Sequence, residues 1–239
     1  MKCLVVIPAY NEQDNIVRVI ENLKNNYPQY DYVIINDGSA DSTPEICRMK
    51  GYELIDLPVN LGLAGAFQTG LKYAYQKNYD YAIQFDADGQ HRPEYIGMML
   101  DKMQEGYDIV IGSRFVNEKK PKSLRMLGSN MISLAMRLTT GRKVNDPTSG
   151  MRMFNKKMIA EFALNMNYGP EPDTVSYLLK QGATIAEVQV SMDERIAGTS
   201  YLTLGRSMMY MMRMLISILL IQNFRKRQKV RKIVVEEEV

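Results

Sequence analysis

Short apolar runs alternate with amphipathic stretches through the first half of the chain. The runs at 3–7, 32–35, 53–57, 81–85 and 109–111 are three to five residues long and favour Val and Ile, which predicts strands buried on both faces. Between them, 12–25, 42–50, 63–77 and 93–105 carry the wider apolar spacing of helices. Two helix starts are marked locally: Asp41, Ser42 and Thr43 lead into Pro44, and Arg92 precedes Pro93. Strands alternating with helices predict an α/β fold, a mostly parallel central sheet covered on both faces.

Beyond residue 112 the pattern loosens. A helix is expected at 123–139, a strand at 151–154, a helix at 172–181 and a strand at 184–190. No linker-like stretch, low-complexity segment or internal repeat interrupts these elements. The expectation is one catalytic domain over 1–200 with an appendage over 201–239.

Open α/β sheets bind ligands beyond the carboxyl ends of their strands. After the first predicted strand stand Pro8, Ala9, Tyr10, Asn11 and Glu12; after the second, Asn36, Asp37, Gly38 and Ser39. The fourth is followed by Asp86, Ala87, Asp88, Gly89, Gln90 and His91, and the fifth by Gly112, Ser113 and Arg114. Asp86 and Asp88, two residues apart just past an apolar strand, can converge on one hard divalent cation, with Gln90 as a further oxygen on the same loop. A plain Asp-rich turn is the structural alternative. Asp37 suits a base or ribose, or simply an Asx turn. Gly62, Gly65 and Gly70 let backbone approach a ligand or a neighbouring strand.

Composition narrows the class. At 46% hydrophobic and 24% charged, the 239 residues read as a globular protein with a real core. Cys3 and Cys47 form no metal-type pair, and a buried thiol in a reducing compartment fits Cys3. His91 is the one histidine, which excludes Ser/His and Cys/His triads and histidine-rich zinc sites. No G-x-G-x-x-G follows the first strand, which argues against a dinucleotide oxidoreductase. The net charge of +3 hides six basic residues in the eight at 225–232; the remainder sums to −3, so the body is no nucleic-acid binder. No signal-peptide pattern opens the sequence, and a cytoplasmic location is expected.

Six segments taken together resemble the family 2 glycosyltransferases with the GT-A fold: P-A-Y-N-E (8–12), N-D-G-S-A-D-S-T (36–43), N-L-G-L-A-G-A (60–66), F-D-A-D-G-Q-H (85–91), G-S-R (112–114) and D-P-T-S-G-M-R-M-F (146–154). D-A-D-G-Q-H with S-G-M-R is most similar to the polyprenyl-phosphate and dolichol-phosphate sugar transferases. The resemblance implies a GT-A (Rossmann-like) fold and inverting transfer of a sugar from a nucleotide-sugar donor to a polyprenyl (undecaprenyl-type) phosphate. It implies nucleotide contacts from Pro8, Ala9, Tyr10, Glu12, Asp37, Gly65, Asp86 and Ala87. Asp86, Asp88 and Gln90 would hold Mg²⁺ or Mn²⁺, and Arg114, Arg125 and Ser129 would meet the acceptor phosphate. Asp86, Asp88 and Arg114 would carry the catalysis. Two positions depart from the family pattern. Leu63 stands where relatives often carry Lys or Arg, and the segment 169–173 places no evident general base.

The stretch 208–221 is apolar except for Arg213 and Ser217. Its 14 residues fall short of the roughly 20 a spanning helix needs. With the basic run behind it, an amphipathic helix lying on a membrane surface is expected, peripheral at the inner face. A core helix, a homo-oligomer contact, or a grip for a small integral membrane partner are the other readings. For function, the rivals are a transferase that extends a polysaccharide or glycolipid hydroxyl, using Glu171 or Asp173 as base, and a nucleotide-binding scaffold without turnover.

Overall fold

The structure, a computed structural model, describes residues 1–166, 168–194 and 204–224. Seven strands form one sheet in the order β3-β2-β1-β4-β6-β5-β7. They are β1 (Cys3–Ala9), β2 (Asp31–Asn36), β3 (Leu54–Asp56), β4 (Tyr81–Gln84), β5 (Ile109–Ser113), β6 (Arg152–Asn155) and β7 (Ile185–Gln189). β6 runs antiparallel to both β4 and β5, and every other pairing is parallel. β1 is flanked by β2 on one side and β4 on the other, so the strand order reverses there. That reversal opens the crevice at the carboxyl ends of β1 and β4.

All seven residues of β1 are buried, with alternate side chains entering opposite layers. Leu4 and Val6 join the core beneath α3 (Gly62–Gln76), α5 (Leu124–Thr140), α6 (Lys156–Leu164) and α7 (Pro172–Lys180). Cys3, Val5 and Ile7 join the other, beneath α1 (Ile16–Asn26), α2 (Thr43–Met49) and α4 (Tyr95–Gln104). Burial pushes the thiols of Cys3 and Cys47 up to about 12 and about 11, as expected for inert core residues. α3 lies so close on β1 that a Cβ at Gly70 would fall 2.1 Å from Val6 Cγ1. Gly70 therefore serves strand approach and not ligand approach.

Several boundaries move. α1 begins at Ile16, four residues later than predicted, because Glu12 through Asn15 form a turn whose carbonyl at Glu12 receives the N–H of Asn15 and of Ile16. At α2 the cap comes from Asp41, whose Oδ1 accepts from Thr43 N at 3.0 Å, while the Ser42 side chain makes no cap bond. α6 was not predicted. Asn155 ends β6 and at once caps α6 through Met158 N at 2.9 Å, so no loop separates the two. At the C-terminus α8 (Leu204–Ile216) continues through a π-helical turn, Ser217–Ile221, into α9 (Gln222–Phe224). No described helix is long and apolar enough to cross a membrane. The basic run 225–232 and the expected domain boundary near 200 lie outside the described residues.

Candidate active site

The first two strand ends clasp each other. Asp37 N donates to the Ala9 carbonyl at 2.8 Å, Asn11 N to Ser39 Oγ at 2.9 Å, and Ala40 N to Asn11 Oδ1 at 2.8 Å. Asn11 takes a positive φ of 55°, a conformation Asn tolerates, and so turns the chain sharply after β1. Pro8 and Ala9 are buried, Glu12 nearly so, and Tyr10 stands out at 43% exposure. Glu12 is held from both ends: its N–H donates to Thr43 Oγ1 at 2.9 Å, and its carboxylate accepts from Asn15 Nδ2 at 2.7 Å. Asp37 is buried, and its Oδ1 accepts from Leu61 N at 2.7 Å. Burial pushes this carboxyl up, while the N–H groups of Leu61 and Gly62 pull it down. Asp37 thus fixes the start of α3, and with it Gly65, beside the crevice.

The turn after β4 carries the paired carboxylates. His91 Nδ1 accepts the Asp86 N–H at 2.9 Å, which leaves the proton on Nε2, 3.6 Å from Asp86 Oδ2. The imidazole is buried and packs edge-on against Phe85. His91 therefore positions Asp86, a role that its being the single histidine did not suggest. Asp86 Oδ1 receives only a long 3.2 Å bond from Gln84 Nε2, and its side chain stays 29% exposed. Asp88 Oδ1 accepts from Gln90 N at 3.0 Å, closing the turn. Gln90 Nε2 donates to the Asp193 carbonyl at 3.2 Å, so its amide oxygen is the atom left for a cation.

Among the described residues no group of three or more Asp, Glu, His or Cys side chains is placed to hold a metal ion, so the two carboxylates of this turn do not make an all-protein metal cage. They fit Mg²⁺ or Mn²⁺, which bind through one or two carboxylates and complete their shell with substrate phosphate and water.

A second constellation lies beyond β5. Arg114 grips Asp146 with Nε at 2.7 Å to Oδ2 and Nη2 at 3.0 Å to Oδ1. Asp146 is fully buried, and its own N–H donates to Glu187 Oε1 at 2.9 Å. Thr148 Oγ1 reaches Asp146 Oδ1 at 3.3 Å and Ser129 Oγ at 3.5 Å, and Lys120 Nζ donates to Ser129 Oγ at 3.1 Å. Arg114 and Ser129, distant in sequence, thus share one seat with Lys120. Arg125 lies one turn before Ser129 on α5 and is exposed, so the structure does not bring it into this cluster. Lys120 was missed by sequence reasoning. Burial lowers its pKa, with Arg114 and Lys143 acting the same way against Asp146 and Glu187. The loop 146–150 joins the two halves of the site: a Cβ at Gly150 would fall 2.9 Å from Asp86 Oδ2.

The acidic residues of 169–173 take a different course. Glu171 accepts the Tyr210 hydroxyl from α8. Asp173, buried, accepts from Thr174 N at 2.8 Å and from Ser217 Oγ in the π-helical turn at 2.6 Å. Gln222 Nε2 donates to the Asp173 carbonyl.

A sheet with its strand-order reversal at nucleotide-type loops, beside a paired-carboxylate turn, defines the GT-A class of glycosyltransferase fold. Glucosyl-3-phosphoglycerate synthase of Mycobacterium tuberculosis, solved with Mn²⁺ and UDP-glucose, superimposes with a TM-score of 0.68 at 18% identity, covering 91% of this chain and 79% of that one. The model of glycosyl transferase family 2 matches residues 4–162, and the chain belongs to that family. Among its relatives, the UDP-N-acetylglucosamine–dolichyl-phosphate N-acetylglucosaminyltransferase of Methanococcus voltae is 33% identical over 213 residues, covering 78% of this chain and 83% of its own. The undecaprenyl-phosphate mannosyltransferase of Micrococcus luteus is 29% identical over 218 residues, with 86% and 89% covered. The polyprenol monophosphomannose synthase of Mycolicibacterium smegmatis is 26% identical over 212 residues, with 83% and 80% covered.

Proposed function

We propose that this glycosyltransferase moves a sugar from a nucleotide-sugar donor to a polyprenyl phosphate at the inner face of a membrane, inverting the anomeric carbon in one displacement. The observation that carries this reading is the fate of Glu171 and Asp173. An alcohol acceptor needs a carboxylate to take its proton. Both candidates are engaged in anchoring α8, through Tyr210 and Ser217. A phosphate acceptor arrives already anionic and needs cations and hydroxyls to orient it. Lys120, Ser129, Thr148 and the outer edge of Arg114 offer both.

Asp86 and Asp88, with Gln90, are the residues that would hold a divalent cation, which would supply positive charge to the departing nucleoside diphosphate. Pro8, Ala9, Tyr10, Glu12, Asp37, Gly65 and Ala87 bound the nucleotide's side of the crevice. His91 keeps Asp86 in place through the Asp86 N–H. Lys120 and Arg114 hold the acceptor phosphate so that one of its oxygens faces the anomeric carbon opposite the leaving group. The names of the relatives include mannosyl and N-acetylglucosaminyl transfer, which defines the donor panel.

The test incubates purified protein with Mg²⁺ or Mn²⁺, undecaprenyl phosphate and, in turn, UDP-glucose, UDP-N-acetylglucosamine and GDP-mannose. One donor is expected to release its nucleotide only when the lipid phosphate and the cation are both present. Release that needs a free alcohol instead, or that never exceeds background with any donor, overturns the proposal.

A further inference from the structure

Arg152 opens β6 and is buried, at 6% exposure. Among the described residues no carboxylate lies within ion-pair distance of it, and its Nε has no hydrogen-bond partner. A buried charge without a counterion is costly unless the fold needs what it holds. What this guanidinium holds is main chain. Its Nη1 donates to the Pro170 carbonyl and its Nη2 to the Pro147 carbonyl at 3.0 Å. Both prolines are buried, so their carbonyls require a donor. Each ring also fixes its own φ, which makes the two carbonyls stiff handles on their loops.

The two handles belong to opposite sides of the crevice. Pro147 stands between Asp146, which grips Arg114, and Thr148, which reaches Ser129. It therefore belongs to the seat shared with Lys120. Pro170 follows Gly169, where a Cβ would fall 2.5 Å from Ala64 Cα and 2.7 Å from the Ala64 carbonyl oxygen. The segment 169–173 thus rests directly on the first turn of α3, beside Gly65. One side chain spans from the cation seat to the glycine loop. The planar fork of arginine meets two carbonyls in two directions, whereas a lysine offers its donors from a single point.

We propose that Arg152 is a positioning residue that sets the separation between the acceptor seat and the donor loop, by pinning Pro147 and Pro170 at once. This rests on the donor and acceptor assignments above. Attack by a phosphate oxygen requires the two substrates to be aligned, and a misplacement on the order of 1 Å costs about 10²-fold in rate. Arg152 is buried and acts through the two loops, so its loss falls on kcat and spares the affinity of each seat for its own substrate.

The experiment compares the full-length wild type with Arg152→Lys and Gly169→Ala by thermal melting, amide hydrogen exchange and initial-rate kinetics with undecaprenyl phosphate and the donor panel. Arg152→Lys is expected to exchange about tenfold or more faster in both 146–150 and 169–173, while 86–91 keeps its wild-type rate. Its kcat should fall about 10²-fold with the KM for donor and for acceptor each within about threefold of wild type. Gly169→Ala moves 169–173 off α3 without touching the buried charge, and carries the test should Arg152→Lys not fold. It should lower kcat about tenfold or more and leave the acceptor KM unchanged. Faster exchange in only one of the two segments overturns the positioning role. So does a folded Arg152→Lys or Gly169→Ala with wild-type kcat, or a loss confined to one KM. If both segments loosen together in Arg152→Lys while the wild type itself glycosylates no lipid phosphate, the pin is supported and the acceptor assignment alone falls.

Discussion

Single side chains of this protein are assigned three separable kinds of work, two in the site and one in the fold. Asp88 stands at the turn that closes on Gln90 N and takes no part in the core, so its removal should spare the fold. Asp88→Ala is expected to cut kcat by about 10² or more while the melting temperature stays put, read by nucleotide release at saturating donor. Lys120 is the residue proposed to meet the acceptor phosphate. Lys120→Met should raise the KM for polyprenyl phosphate about tenfold or more and leave the KM for the donor unchanged, read in initial-rate kinetics. Because burial lowers the Lys120 pKa, the acceptor KM should climb with alkaline pH earlier than a free lysine would require, and Lys120→Arg should flatten that rise.

Asp108 is structural. Burial works against its charge, yet Thr184 N, Asn155 Nδ2 and Lys157 hold its carboxyl below the usual range. A depressed carboxyl stabilises the fold fully above its ordinary pKa of about 4, and that contribution fades as pH falls through the folded value. Urea unfolding should therefore show Asp108→Asn less stable than wild type at pH 7, with the gap shrinking towards pH 3. The sequence could single out Asp86 and Asp88 because two residues of one turn carry the signal. Lys120 was not readable, since Ser129, which it bonds, and Arg114 and Asp146, whose charges act on it, come from three different segments. Nor was the engagement of Arg114 by Asp146, 32 residues away.

Elements read well where the pattern is local. The five apolar runs became five strands of one direction, because each is short and flanked by helices, and all but the edge strand β3 are largely buried. The antiparallel course of β6 was invisible, because strand direction follows from what precedes and follows it in space. α6 was hidden by Asn155, which serves as strand end and helix cap at once. The junction of α7 with α8 was equally hidden, for Glu171 and Asp173 look like bases until Tyr210 and Ser217 are seen to engage them. Asp173→Asn discriminates here. It should lower the melting temperature by an amount equivalent to about 1–3 kcal/mol while kcat stays within a few-fold of wild type. Near-complete loss of turnover with an unchanged melting temperature would favour a hydroxyl acceptor.

At the scale of the whole molecule, the sheet sets the order of events. The strand reversal between β2, β1 and β4 brings the nucleotide loops and the carboxylate turn to one crevice. The antiparallel insertion of β6 delivers the loop 146–150 between that crevice and the seat shared by Arg114, Ser129 and Lys120. The helices α5 and α8, which line or brace that seat, leave apolar residues exposed on their outer sides.

The linkage in the product tests this account most directly. After reaction with isotope-labelled donor and undecaprenyl phosphate, the lipid extract is analysed by mass spectrometry. The account predicts a species equal to the lipid phosphate plus one sugar less water, joined through a phosphodiester and absent when undecaprenol replaces the phosphate. Label carried on a hydroxyl, with equal yield from undecaprenol, would contradict it.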